Sequence, residues 1–202
     1  MPEKPAIVFD LGNVLLAFDY RRAVRNLAKQ SSVSEAELHA LINQSPLLLK
    51  YEAGGMTTAE FFNEVKFAAS FSGELEHFRP IFGDIFSEIP EMIALNERLR
   101  QAGHQSYIFS NTNELAIEFI RGRFPFFANF DGYILSYEHR SMKPEARIYE
   151  VVERVTGKNN RGIVYIDDRE ENIVSGAARG WNVIHHLNHT DTIPALGKLL
   201  SA

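Results

Sequence analysis

Four short apolar runs in this chain each break off at polar residues, and helical stretches separate them. Ile7-Val8-Phe9 stops at Asp10, and Ser106-Tyr107-Ile108-Phe109 stops at Ser110-Asn111. Tyr133-Ile134-Leu135 leads toward Lys143-Pro144, and Gly162-Ile163-Val164-Tyr165-Ile166 closes on Asp167-Asp168. Runs of this length, rich in β-branched and aromatic residues, read as buried strands. Helical patterns fall between them, from Glu91 to Gln101, Glu114 to about Arg121, Glu145 to Val155 and Glu170 to Arg179. Asn182-Val183-Ile184 reads as a last strand and Pro194 to Leu200 as a last helix. Alternation at this spacing predicts an α/β fold, a parallel sheet with helices on both faces. In such a sheet the carboxyl ends of the strands share one edge, where ligands bind.

Residues 19 to 88 have a different texture and show no further strand. Asp19 caps a helix from Tyr20 to Leu27, Ser34 with Glu37 and Thr57 with Glu60 form capping boxes, and a fourth helix runs from Glu74 through Phe86. Four amphipathic helices in one block predict a helical-bundle cap at 17–88, inserted into a core domain formed by 1–16 and 89–202. The loop from Lys50 to Met56 sets paired glycines beside an aromatic and an acid. It reads as an interhelical turn or as a substrate-sensing loop with Glu52 among its substrate-binding residues.

With 202 residues, 45% of them hydrophobic, the chain can bury a sizeable core. A net charge of −5 without a basic run disfavours a nucleic-acid partner. With no cysteine, disulfides and thiolate metal sites are excluded. No stretch reaches the roughly 20 apolar residues of a membrane span. The amino terminus does not read as a signal peptide, so the expected setting is cytoplasmic, without a membrane partner, for a monomer or homodimer.

The strand-end residues suggest a chemistry. Carboxylates such as Asp10, Asp167 and Asp168 suit Mg²⁺, which takes one or two carboxylates and fills its remaining positions with water and substrate oxygens. A Ser hydroxyl, helix-start amides and a Lys ammonium bind anions. A cation site beside an anion clamp fits a phosphoryl group, and Asp10 is then placed to attack phosphorus and form an aspartyl-phosphate. Adjacent Asp167 and Asp168 repel each other unless a cation is near.

Together and in order, Phe9-Asp10-Leu11-Gly12-Asn13-Val14, Phe109-Ser110-Asn111-Thr112, Lys143-Pro144 and Ile166-Asp167-Asp168-Arg169-Glu170-Glu171-Asn172 resemble the four motifs of the haloacid dehalogenase (HAD) superfamily. The resemblance spans the whole chain, and it implies a Rossmann-like core and a cap after the first motif. Within the superfamily the texture is most similar to the bacterial α-D-glucose-1-phosphate phosphatase group. The resemblance implies a Mg²⁺-dependent phosphatase of small phosphorylated metabolites, with sugar 1-phosphates favoured. It also implies Asp10 as nucleophile and metal ligand, the Gly12 carbonyl and Asp168 as further ligands, and Asp167 acting through water. Ser110 and Asn111 would bind phosphoryl oxygens, and Lys143 would orient Asp10.

The chain departs from the pattern at Gly12, where most phosphatases of the superfamily carry a second Asp that acts as acid and base. Asp19 is the expected substitute. Two other readings compete. Hydrolytic dehalogenation of a 2-haloacid uses the same nucleophile without metal, and a non-catalytic phosphate-binding module needs no acid at all.

Overall fold

The computed structural model describes residues 4–201. Residues 1–3, which open the amino-terminal reading and the expected core segment, and residue 202 lie outside the described residues. Strand β1 (Ala6–Phe9) is followed by β2 (Leu16–Phe18), then by helices α1 (Tyr20–Ala28), α2 (Glu35–Ile42), α3 (Pro46–Glu52), α4 (Thr58–Ala68) and α5 (Leu75–Gly83), and by β3 (Phe86–Glu88). Helix and strand alternate thereafter: α6 (Pro90–Gln101), β4 (Ser106–Ser110), α7 (Glu114–Arg123), β5 (Gly132–Leu135), the single turn α8 (Ser136–His139), α9 (Ala146–Thr156), β6 (Ile163–Asp167), α10 (Glu170–Ala178), β7 (Asn182–His185) and α11 (His189–Ser201).

The main sheet has the order β5-β4-β1-β6-β7 and is parallel throughout. β1 lies at its centre, which is why its four residues are all buried and show no polar alternation. Successive side chains still point to opposite faces. Ile7 and Phe9 pack with Ile108, Ile166, Met92 of α6, Ile117 of α7 and Leu196 of α11. Ala6 and Val8 face the other way, with Tyr107, Tyr165, Ile148 and Tyr149 of α9, and Ile173 of α10. Phe9 stands level with Ile108 of β4 and Ile166 of β6. Residue 10 therefore emerges between the carboxyl ends of its two neighbours.

Helices α1 to α5 gather a cluster of their own, from Ala23, Leu38, Tyr51, Phe61, Phe78 and Phe82, and Leu115 of α7 joins it. The absence of strands expected within 19–88 is corrected by β3. It pairs antiparallel with β2, Leu16 against Glu88 and Phe18 against Phe86, and so closes the two ends of the helical block on each other. Strands of three residues are too short to reveal a period of two. A fifth helix, α3, occupies part of the expected loop. Ser45 caps it by accepting from the Leu48 amide at 3.0 Å, and Pro46 opens it, but seven residues make only two turns. The last helix starts at His189, ahead of the expected Pro194, because the Asn188 side chain accepts from the Asp191 amide at 2.9 Å. Among the described residues no helix is long and apolar enough to cross a membrane.

Candidate active site

The β1 ladder runs one residue past the strand, because the Asp10 amide donates to the Ile166 carbonyl at 2.8 Å. The chain then turns through Asn13, whose φ of 55° lies in the left-handed region that Asn tolerates. The turn brings the Leu11 amide onto Asp10 Oδ1 at 2.7 Å. Asp10 is buried.

Lys143 reaches the same point from the loop after β5. Its Nζ lies 2.9 Å from Asp10 Oδ1 and 2.7 Å from Asp167 Oδ2, and it donates to the Phe109 carbonyl at 2.9 Å. Asn111 holds the loop in place: its side chain accepts from the Lys143 amide at 2.8 Å and donates to the Lys143 carbonyl at 3.0 Å. Burial lowers the proton affinity of Lys143, but Asp10 and Asp167 outweigh it and keep the ammonium charged. Burial pushes the Asp10 carboxyl well above the usual carboxylate range, with Lys143 opposing and the charges of Asp167 and Asp168 adding to the rise. At Asp167 burial acts in the same upward direction. Lys143, the Tyr165 hydroxyl and the Arg169 amide overcome it, and the group stays ionised below its ordinary range.

Asp10, Asp167 and Asp168 each bring one carboxylate oxygen within 4.8 Å of the others. Three carboxylates against one ammonium leave excess negative charge that a hard divalent cation would offset. The three are not equivalent as ligands. Asp167 Oδ1 accepts from the Arg169 amide at 2.8 Å and the Asn172 side chain at 3.0 Å, while Oδ2 accepts from Lys143 and Tyr165. Its oxygens are taken by protein donors. Asp168 is more open and accepts from Asn13 Nδ2 at 2.9 Å through one oxygen. Among the described residues no protein donor meets Asp10 Oδ2.

Asp10 and Asp168, though not Asp167, line one cavity of about 570 Å³ beneath the helical block. Gly12, Ser110, Asn111 and Lys143 line it from the core, and Tyr20, Gln44, Leu48 and Glu52 from the cap. Of the candidates named from sequence, the structure brings together Asp10, Gly12, Glu52, Ser110, Asn111, Lys143, Asp167 and Asp168. It does not bring Asp19. That side chain accepts from the Arg21 amide at 3.0 Å as the cap of α1, pairs with the Arg21 guanidinium at 2.8 Å, and does not line the cavity. The Arg21 hydrogen bond holds its pKa below the ordinary value, which suits a cap and not a proton donor. Asp19, expected as the substitute acid, is thus placed as the cap of α1 and off the cavity wall.

Several participants were not singled out from sequence. Ser136, at the end of β5, donates to the Glu52 carbonyl at 2.6 Å and accepts from the Thr112 amide at 2.9 Å, tying cap to core. It too is a polar residue at a strand end, and that signal could have found it. Tyr165 lies two residues before Asp167 on the same strand face, and Arg169 sits beside Asp168 on the cavity wall. Among the described residues no histidine lines the cavity.

A sequence model of the haloacid dehalogenase-like hydrolases matches residues 4–180. Solved structures agree on the fold. A HAD family enzyme from Bacteroides thetaiotaomicron, in complex with magnesium and inorganic phosphate, is 23% identical, with a TM-score of 0.78 over 90% of this chain and 93% of that one. A HAD-like family hydrolase from Porphyromonas gingivalis is 22% identical, with a TM-score of 0.82 over 98% of both chains. An L-2-haloacid dehalogenase from Xanthobacter autotrophicus with chloropropionic acid covalently bound is 16% identical, with a TM-score of 0.64 over 90% of this chain and 76% of that one.

Proposed function

We propose, from the premise that this chain belongs to the haloacid dehalogenase-like hydrolases, that it is a Mg²⁺-dependent phosphatase acting through an aspartyl-phosphate, with sugar 1-phosphates its favoured substrates. The observation that carries the reading is Asp10 itself. One of its oxygens is held by Lys143 and the Leu11 amide, while the other meets no protein donor among the described residues. That free oxygen is the nucleophile. Lys143 orients the carboxylate and offsets its charge, and Ser110 with the Asn111 side of the cavity receives phosphoryl oxygens. Asp10, Asp168 and the Gly12 carbonyl would hold Mg²⁺ directly, with Asp167 acting through water. When bound, the ion neutralises charge on the phosphoryl group.

The magnesium and phosphate bound to the Bacteroides thetaiotaomicron enzyme support the reading. A cavity of about 570 Å³ suits a small metabolite. Its mixed wall of Phe18, Tyr20, Phe86, Gln44 and Glu52 suits a ring bearing hydroxyls, in line with the α-D-glucose-1-phosphate phosphatase group. The cytoplasm is the expected compartment, and a monomer or homodimer the expected state. The carboxylate trio weighs against dehalogenation, because it repels a haloacid anion unless a cation intervenes. The test is a phosphate-release screen over sugar phosphates, nucleotides and acyl phosphates, with Mg²⁺ and with EDTA. Release that needs Mg²⁺ and disappears in Asp10→Asn is expected. Halide release in EDTA, or phosphate release surviving in that variant, would overturn the proposal.

A further inference from the structure

An alkoxide leaving phosphorus needs a proton, and the water that later cleaves an acyl phosphate needs a base. The buried cluster supplies neither. Asp10 is the nucleophile, Asp167 is ionised and saturated with donors, Asp168 stands at the cation position, and Lys143 keeps its proton. Position 12 offers no acid either. It is glycine, and a Cβ there would meet the Phe18 ring at 3.0 and 3.4 Å. The remaining titratable groups on the cavity wall are Tyr20, Glu52 and Arg169. An arginine does not give up its proton, and burial pushes the Tyr20 hydroxyl well above 10.

Glu52 is the last residue of α3, and the core fixes its position. Its carbonyl accepts from Ser136 Oγ at 2.6 Å. Two residues on, Gly54 has a φ of 67° and packs so closely that a Cβ would lie 2.2 Å from the Tyr137 carbonyl oxygen. The Glu52 carboxyl accepts from the side chain of Asn113, which follows Ser110-Asn111-Thr112, and it faces Arg169, the neighbour of Asp168. It thus lines the same cavity as Asp10, from the helical block opposite the sheet edge.

We propose that Glu52 is the catalytic acid and base of this site, a proposal that rests on the phosphatase reading and deepens it. In the first step an Asp10 oxygen bonds to phosphorus, the phosphorus–oxygen bond to the alcohol breaks, and the departing oxygen takes the proton of the Glu52 carboxyl. In the second step water bonds to phosphorus and gives one proton to the Glu52 carboxylate. The bond from phosphorus to Asp10 breaks, and inorganic phosphate leaves.

The proton affinity of Glu52 suits both steps. Burial pushes its pKa up to about 7, with Arg169 and the Asn113 hydrogen bond pulling the other way. The carbonyl end of α3 acts in the same direction as burial. Arg169 and Tyr20, from the loop after β6 and from α1, are the titratable or charged groups in electrostatic contact with it. The packed elements α2, α4 and α8 add none among the described residues.

The test compares wild type with Glu52→Gln in the first turnover, with Mg²⁺, on the sugar 1-phosphate that wild type hydrolyses fastest and on p-nitrophenyl phosphate. A sugar alkoxide needs the proton and p-nitrophenolate does not. The variant is expected to lose about 10²–10⁴-fold on the sugar phosphate. On the aryl ester it should lose less than about tenfold, releasing one p-nitrophenol per chain and then stalling as the acyl phosphate accumulates. That stoichiometric burst also shows that the variant is folded. In metal-free wild type, the ¹³C shift of the Glu52 carboxyl should titrate near the value of about 7. Equal losses on both esters, or none, would overturn the role of Glu52 while leaving the phosphatase reading intact. A wild type inert on every phosphoester would overturn both.

Discussion

Lys143→Met removes the one ammonium that faces the buried carboxylates and leaves the shape of the side chain nearly intact. Lys143 lies 2.9 Å from Asp10 and 2.7 Å from Asp167, and its side chain is 1% exposed. At an effective dielectric constant of about 20, the pair with ionised Asp167 contributes about 6 kcal/mol of Coulomb attraction, and the pair with Asp10, whose carboxyl is held well above the usual carboxylate range, contributes less near neutral pH. Desolvation of the ammonium offsets part of this, and breaking a buried pair costs about 3–5 kcal/mol once the uncompensated charge is included. The expected deficit is therefore about 3–5 kcal/mol by urea unfolding at pH 7.5 in EDTA.

The sign of the pH dependence follows from the two carboxylates. In wild type Asp167 is held below its unfolded value, so its contribution is present above about pH 4 and fades as the pH falls. Asp10 is already held above its unfolded value in wild type, and in the variant it moves further up while Asp167 joins it. Their contribution is then present below about pH 4 and lost as the pH rises through the raised folded values. The deficit should be small near pH 4 and grow toward pH 8. A deficit below about 1 kcal/mol at pH 7.5, the range of a surface pair, would refute the reasoning, and so would one that does not change with pH.

Gly54→Ala forces a left-handed residue with a side chain and drives its Cβ into the Tyr137 carbonyl. Urea unfolding should show a loss of about 2 kcal/mol or more, and steady-state kinetics a raised KM as α3 moves off the core. Tyr51→Phe removes the hydroxyl that accepts from the Leu115 amide at 3.2 Å and bonds Thr58 Oγ1 at 2.6 Å. Leaving that buried amide unmatched should cost about 1–3 kcal/mol in the same assay. Asp19→Ala should lower the urea midpoint through loss of a cap and keep phosphate turnover within about twofold. A collapse of turnover in a folded Asp19→Ala protein would return that residue to the chemistry.

Apolar periodicity, strand-end polarity and helix capping act over a few residues, and the chain shows them directly. β1, β4 and β6, the capping boxes at Ser34 and Thr57, and the convergence of Asp10, Ser110, Lys143 and the Asp167-Asp168 pair were legible for that reason. The three-residue strands β2 and β3 were not. Neither is long enough to carry a pattern, and each exists because the other lies beside it across some 70 residues of sequence.

The same limit applies inside the site. Asp167 and Asp168 look alike in sequence, yet Lys143, Tyr165, the Arg169 amide and Asn172 engage one of them and Asn13 the other. Asp19 and Glu52 are both acids of the helical block. Arg21, two residues away in the chain, captures the first, whereas contacts with Ser136 and Asn113 set the second over the cavity. Residue type and local order determined which groups this chain could bring to the sheet edge. Burial and partners distant in sequence, which only the tertiary structure supplies, decided which carboxylate oxygens meet protein donors and which carboxyls are pushed above their ordinary range.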